Sequence, residues 1–256
     1  MDASPSQRRA LLFVAGGVRL ALRLPMVREI LPVPPGAAEV GARGGVFPVI
    51  PLALALGLEA SPGGLAVLTE ATPPVALRVD EVQGIVDLSR AEVFQLPART
   101  LLPQPPPFQG VVVLEGRMWL ELALTTAGWV PMEPAAAEWP QPPEQDFAPG
   151  RELVFERAGR RYAVPLSLLV RVVEAPLVFP VPLAPPAHRG LLYHERAIHP
   201  VFDLAVLYGG TPAPGAAIAL LVDAGGTAVA ILGDRMAGAG EVPDVVRPAW
   251  DALFPA

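Results

Sequence analysis

The sequence predicts a mainly β protein made of two tandem copies of one module, each copy built of small β-barrel subdomains with short helices. The second copy is shortened at its C-terminal end. Three observations support this. The apolar runs are short and punctuated by Gly and Pro, the pattern of small barrels and sandwiches. Thirty-three prolines stand among 256 residues, and each lacks an N–H and costs roughly 3 kcal/mol inside a helix, which excludes long helices. The chain also aligns with itself, first at an offset near 142 and later at 152.

In chain order, residues 1–10 form a tail and 11–130 the first module. LLFVAGGVRLALRLPMVREIL, Leu11 to Leu31, matches LVFERAGRRYAVPLSLLVRVV, Leu153 to Val173: apolar strand, Gly-containing turn, second strand. Each is a predicted hairpin. GGVFPVIPLALALG, Gly44 to Gly57, then aligns with RAIHPVFDLAVLYG, Arg196 to Gly209, the second copy being ten residues longer in between. A short helix is predicted in each. In the second copy Asp203 caps it, Leu204 opens it and Gly209 ends it in a left-handed C-cap. In the first, Pro51 replaces the Asp and Gly57 closes the helix, so the start relies on the fixed φ of proline. Apolar strands Leu65–Leu68 and Ile218–Leu221 correspond, as do VALRVDEV, Val75 to Val82, and VAILGDRM, Val229 to Met236. A closing hairpin, Phe108 to Leu124, has no clear counterpart in the second copy. The open strand edge this leaves is expected along Ile218–Leu221, packed on the first copy or on a partner. Residues 131–150, with six prolines and four acids, form a Pro-rich acidic linker stiffened towards polyproline II. Residues 151–256 form the second, diverged and shortened module.

Composition removes several function classes. With no cysteine, disulfides, thiolate nucleophiles and Cys-based zinc sites are absent. All 19 basic residues are arginine, so Schiff-base and P-loop lysine chemistry are absent too. A net charge of −6 argues against a nucleic-acid partner, which requires a basic face. The longest relevant uncharged stretch, Leu204 to Val222, is interrupted by GGTPAPG, so no membrane insertion is expected. The N-terminus lacks a signal-peptide pattern, and a cytoplasmic location is the simplest expectation.

ARGGVFPVIPL, Ala42 to Leu52, and GLLYHERAIHPVFDL, Gly190 to Leu204, resemble the stretch G-hydrophobic-hydrophobic-N-L-R-G-R-V-L-P-V-V-D-L of the CheW-like domains, the coupling module of bacterial chemotaxis arrays. The neighbouring hairpin and the V-D-x-V strand (RVDEV) fit as well. The resemblance implies an adaptor without catalysis or cofactor. One of its surfaces would bind the signalling tip of a methyl-accepting chemoreceptor, another the regulatory domain of a CheA-type histidine kinase; other CheW-like domains are further candidate partners. By position, the implied partner-binding residues are Arg43, Gly44, Val46 and Pro48, with Glu195, Arg196, Ile198 and Pro200 as their equivalents. Glu195 in place of Arg43 reverses the charge and would repel an acidic partner group. The same adaptor class serves gliding and pilus-type signalling, which is an alternative pathway.

A zinc hydrolase and a small-ligand barrel are competing expectations for the same chain. His194-Glu195 with His199 is one residue too long for the H-E-x-x-H of a zinc hydrolase. On a single strand positions 194 and 199 face opposite sides; His188, nearby on a Pro-rich loop, leaves a loose three-His site as the alternative, and structural or surface histidines with no metal site are the expectation. A small-ligand barrel would show an apolar cavity in place of a filled core.

Overall fold

In a computed structural model of the chain, the described residues are 8–59, 63–97, 100, 102, 106–124, 152–238 and 244–253. The acidic linker and the first seven residues lie outside them. The described residues fall into two compact units, both mainly β, with sheets that curl as half-barrels.

The first unit opens with β1 (Arg9–Ala15) and β2 (Val18–Arg23), paired from Ala10↔Arg23 to Ala15↔Val18. A single 3-10 turn holding Pro25 ends β2, and β3 (Val27–Pro32) enters a different sheet. That sheet gains β4 (Glu39–Ala42), β5 (Gly45–Pro51), β6 (Leu65–Thr69) and β7 (Ala76–Val79), in the order β3-β6-β7-β5-β4. Helix α1 (Leu52–Ala55) follows β5 and buries Leu52 and Ala53. The chain then returns with β8 (Glu81–Asp87), β9 (Glu92–Gln95), β10 (Phe108–Leu114) and β11 (Arg117–Leu122) to a sheet ordered β8-β1-β2-β11-β10-β9. The V-D-x-V strand of the sequence is therefore two strands in two sheets. It breaks at Asp80, whose N–H donates to the Val14 carbonyl (2.8 Å).

The second unit repeats this plan with β12 (Glu152–Arg157), β13 (Arg160–Pro165), β14 (Leu169–Glu174), β15 (Val178–Phe179), β16 (His188–His194), β17 (Ala197–Phe202), α2 (Leu204–Leu207), β18 (Ile218–Asp223), β19 (Ala228–Gly233), β20 (Arg235–Gly238), β21 (Val245–Val246) and α3 (Trp250–Leu253). Even the irregularities recur. The register shift at Leu12/Phe13 reappears at Val154/Phe155, and that at Val27/Glu29 reappears at Leu169/Arg171. The ten extra residues of this copy supply β15, which extends its sheet to β14-β18-β19-β17-β16-β15.

The expected open edge along Ile218–Leu221 is not there. β18 lies inside its sheet between β14 and β19, and Ala219, Leu220 and Leu221 are buried. Among the described residues the units differ in the other sheet, β20-β12-β13-β21, which has four strands where that of the first unit has six. Linear order could not reveal this, because the chain changes sheet at Asp80 and again at Asp234. One link of the plan recurs here: β21 pairs in parallel with β13, as β11 does with β2. Trp250 then donates from Nε1 to the Ala163 carbonyl (3.3 Å), and Leu253 is fully buried in the core with Phe155, Tyr162 and Phe202. The short helix α3 (Trp250–Leu253) thus closes on the core of the second unit.

Candidate partner-binding site

The residues aligned by sequence converge on one local structure, the tip of a β-hairpin, in each unit. In the first unit β4 and β5 pair as Gly41↔Val46 and Ala42↔Gly45, leaving Arg43-Gly44 as a two-residue turn. In the second, β16 and β17 pair as Tyr193↔Ile198 and His194↔Ala197, leaving Glu195-Arg196. Arg43, Gly44, Val46 and Pro48 are all exposed, Val46 at 65%. Among the counterparts only Glu195 and Arg196 are exposed; Ile198 is half-buried and Pro200 buried.

The two tips are held by different chemistry. Gly44 takes φ 97°, and a Cβ there would stand 2.9 Å from Arg28 Nη2; only glycine suits the place. Arg28 Nη2 donates to the Arg43 carbonyl (2.8 Å), and the guanidinium lies 5.4 Å from the Phe47 ring centroid, a cation–π brace. The Arg43 guanidinium itself has no hydrogen bond or ion pair among the described residues. In the second unit Glu195 and Arg196 take φ 47° and 62°, the double left-handed geometry of a type I′ turn. Glu195 is ion-paired to Arg171, both exposed. The reversed charge is therefore not presented bare, because Arg171 answers it within the module. Arg171 in turn occupies the repeat position of Glu29.

Below the second tip, Asp203 Oδ1 accepts from the Ala205 N–H (3.1 Å) and caps α2. Gly209 follows at φ 78°, as Gly57 follows α1 at 68°, while Leu204 is fully buried. Asp203 is also fully buried and bonded through Oδ2 to Arg157 Nη2 (2.7 Å) and Nε (3.1 Å). Arg157 Nη1 reaches Asp234 (2.6 Å) and the Gly215 carbonyl (2.6 Å), and Nη2 reaches the Ala213 carbonyl (2.9 Å). Burial alone would lower the pKa of Arg157, but its bonds to Asp203 and Asp234 outweigh that and raise it. Sequence reasoning missed this hub, since Arg157 sits at the repeat position of Ala15. The one signal that could have found it is that Asp203 faces Pro51 in the alignment, a partnered change at a second position.

The histidines stand otherwise than the sequence suggests. His194 and His199 lie on two paired strands, with Leu192 opposite His199, so the hairpin places both on the same face. They do not assemble a metal site: among the described residues no group of three or more His, Asp or Glu is placed to hold an ion. His199 Nδ1 lies 3.2 Å from the Ala228 carbonyl. His188 belongs to β16 and not to a loop; it is buried, edge-on to Phe202 at 5.2 Å, and burial pushes its pKa down to about 4. A cavity of about 370 Å3 in the first unit, lined by Ala37, Val49, Leu52, Leu54 and Arg78, has no signal in the sequence either. Leu54 stands 54% exposed at it.

Residues 9–126 and 152–245 match the CheW-like domain. The chain belongs to the CheW-like family. Among solved structures, the crystal structure of scaffolding protein TtCheW from Thermoanaerobacter tengcongensis is similar, at 19% identity and a TM-score of 0.37, over 46% of this chain and 90% of that one. No curated protein matches. Among the described residues of this tandem CheW-like protein, no helix is long and apolar enough to cross a membrane.

Proposed function

We propose that this CheW-like protein is a non-catalytic adaptor that couples a chemoreceptor signalling tip to the regulatory domain of a CheA-type histidine kinase. The first module, over residues 11–130, makes the contact through its β4–β5 tip. The supporting observation is the contrast between the two tips. Among the described residues Arg43 is exposed without a partner beside Val46, 65% exposed, whereas Glu195 is already bound to Arg171. An unpaired arginine next to apolar surface is the composition of an interface anchor. On this reading the second module, over residues 151–256, contributes a separate contact or a spacer, and the protein works in the cytoplasm at receptor arrays. The test is reconstitution with a CheA-type kinase and a receptor tip, reading kinase activity. Arg43→Glu is expected to lower coupling at least tenfold, as loss of an anchor worth about 1.4 kcal/mol or more would. Glu195→Ala is expected to leave it near wild type. Unchanged coupling in Arg43→Glu would remove the assignment of the tip, and no complex with either partner would remove the adaptor reading.

A further inference from the structure

The same strand ends differently in the two units. β16 carries β15 on its outer side, paired as Val178↔Leu192 and Phe179↔Leu191. Among the described residues its repeat counterpart β4 is the last strand of its sheet, and Ala38, Glu39 and Gly41 are exposed. We infer that the outer edge of β4 in the first module receives an antiparallel strand from a protein partner, in the place that β15 fills in the second.

The backbone is set for this. Val49 donates its N–H to the Ala38 carbonyl (2.8 Å), so Ala38 faces β5. By the alternation of an antiparallel ladder, Val40 and Ala42 face it too, and Glu39 and Gly41 turn their N–H and C=O outward. Pro48 opposite Glu39 agrees, since proline has no N–H to give to the ladder. Leu191, the equivalent of Glu39, spends its outward side on Phe179. Unsatisfied groups along an edge are a template for one more strand. Coverage of the inner face tells the same story: Val40 and Val49 keep 9% exposure, whereas their counterparts Leu192 and Val201 keep 2% and 0%.

The edge also specifies its occupant. Val178, opposite Leu192, packs on the apolar cluster beneath the sheet, so the residue set opposite Val40 should be apolar. The next residue, where the second unit has Phe179, faces the exposed carboxylate of Glu39 and should be basic. Past that residue the added strand must diverge. Gly190, at φ 132°, has room for Phe179 only because it lacks a Cβ, which would lie 2.0 Å from that carbonyl oxygen. Ala38 at the matching position carries one. The occupant is therefore an extended partner segment reading apolar then basic, in a run of about three or four residues.

The inference rests on backbone geometry and does not depend on the receptor or kinase assignment. The experiment titrates the full chain with the peptide EAPLVRPVPL, residues 174–183 with Phe179→Arg, and follows amide hydrogen exchange. Saturating peptide is expected to slow exchange at Glu39 and Gly41 roughly tenfold or more. The unaltered EAPLVFPVPL should bind several-fold more weakly. Gly41→Pro removes an outward N–H without touching the β5 ladder, and should abolish the protection while the remaining exchange pattern persists. Glu39→Lys, which does not alter the backbone, should reverse the preference towards a peptide with Glu at that position. Unprotected amides at saturation, equal binding by Glu39→Lys and wild type, or protection that rises with protein concentration in the absence of peptide would each overturn the proposal. The last outcome would make a second copy the occupant.

Discussion

Arg157→Met tests the second module at a buried residue that bonds two carboxylates and two carbonyls. Arg157 and Asp203 are both fully buried, so methionine fills much of the stem volume but leaves the carboxylate of Asp203 without a counter-charge. It also leaves the Gly215 and Ala213 carbonyls without their donor. Removing one partner of a buried pair costs about 3–5 kcal/mol. The double variant Arg157→Met/Asp203→Asn removes the charge, and Asn keeps an acceptor for the α2 cap. With two carbonyls still unsatisfied, it should cost about 1–3 kcal/mol, less than the single variant. Urea denaturation of the full chain, read by hydrogen exchange on peptides from β12, β13 and β18, measures both, with peptides from β1 and β2 as the internal control. A single variant costing under about 1 kcal/mol, or a double variant costing the sum of the two singles, would refute the view of Arg157 as a charge held for Asp203.

Two further predictions concern the same unit. The imidazole of His188 titrates near 6.5 in an unfolded chain and about 4 when folded, so its contribution is complete above pH 6.5 and is lost as pH falls towards 4. The loss amounts to about 3 kcal/mol. Denaturation at pH 7 and pH 4.5 should show a flatter pH dependence in His188→Phe than in wild type, and equal slopes would count against the buried neutral imidazole. Gly190→Ala should displace β15, since both φ 132° and the 2.0 Å approach to Phe179 oppose a Cβ, at a cost of roughly 1–3 kcal/mol. Faster exchange at Leu191 and Phe179 checks this, and unchanged protection there would contradict it.

The repeat was legible because it is written in apolar spacing and in Gly and Pro, which the backbone needs wherever the chain turns. Gly57 and Gly209 close their helices for this reason, and Asp203 declares its cap. Three things were not legible. Asp80 and Asp234 lie inside stretches that read as one strand each, Val75 to Val82 and Val229 to Met236, and nothing local says that the chain changes sheet there. Arg157 looks like an ordinary polar residue before a turn, because its partners are 46 and 77 positions away. The common face of His194 and His199 depends on the turn at Glu195-Arg196, two residues that seldom adopt positive φ.

Comparing the two units position by position shows that their differences come in matched sets. Ala15 and Pro51 stand where Arg157 and Asp203 pair; the buried charges are exchanged for apolar groups together, which avoids the cost of a single buried charge. Arg28 goes with Gly44, whose missing Cβ leaves room for the guanidinium, while Val170 goes with Arg196. Glu29 and Arg43 become Arg171 and Glu195, a reversal of both signs. Compensated exchange of this kind keeps each hairpin standing, so the second module has not simply decayed from the first. The Glu195 charge at its tip is answered by Arg171 and its edge is closed by its own β15, whereas in the first module, among the described residues, the Arg43 guanidinium has no ion pair and the β4 edge no strand. The two modules thus present a closed and an open version of one surface, and it is the open one, with Arg43 beside the β4 edge, that we propose meets a partner.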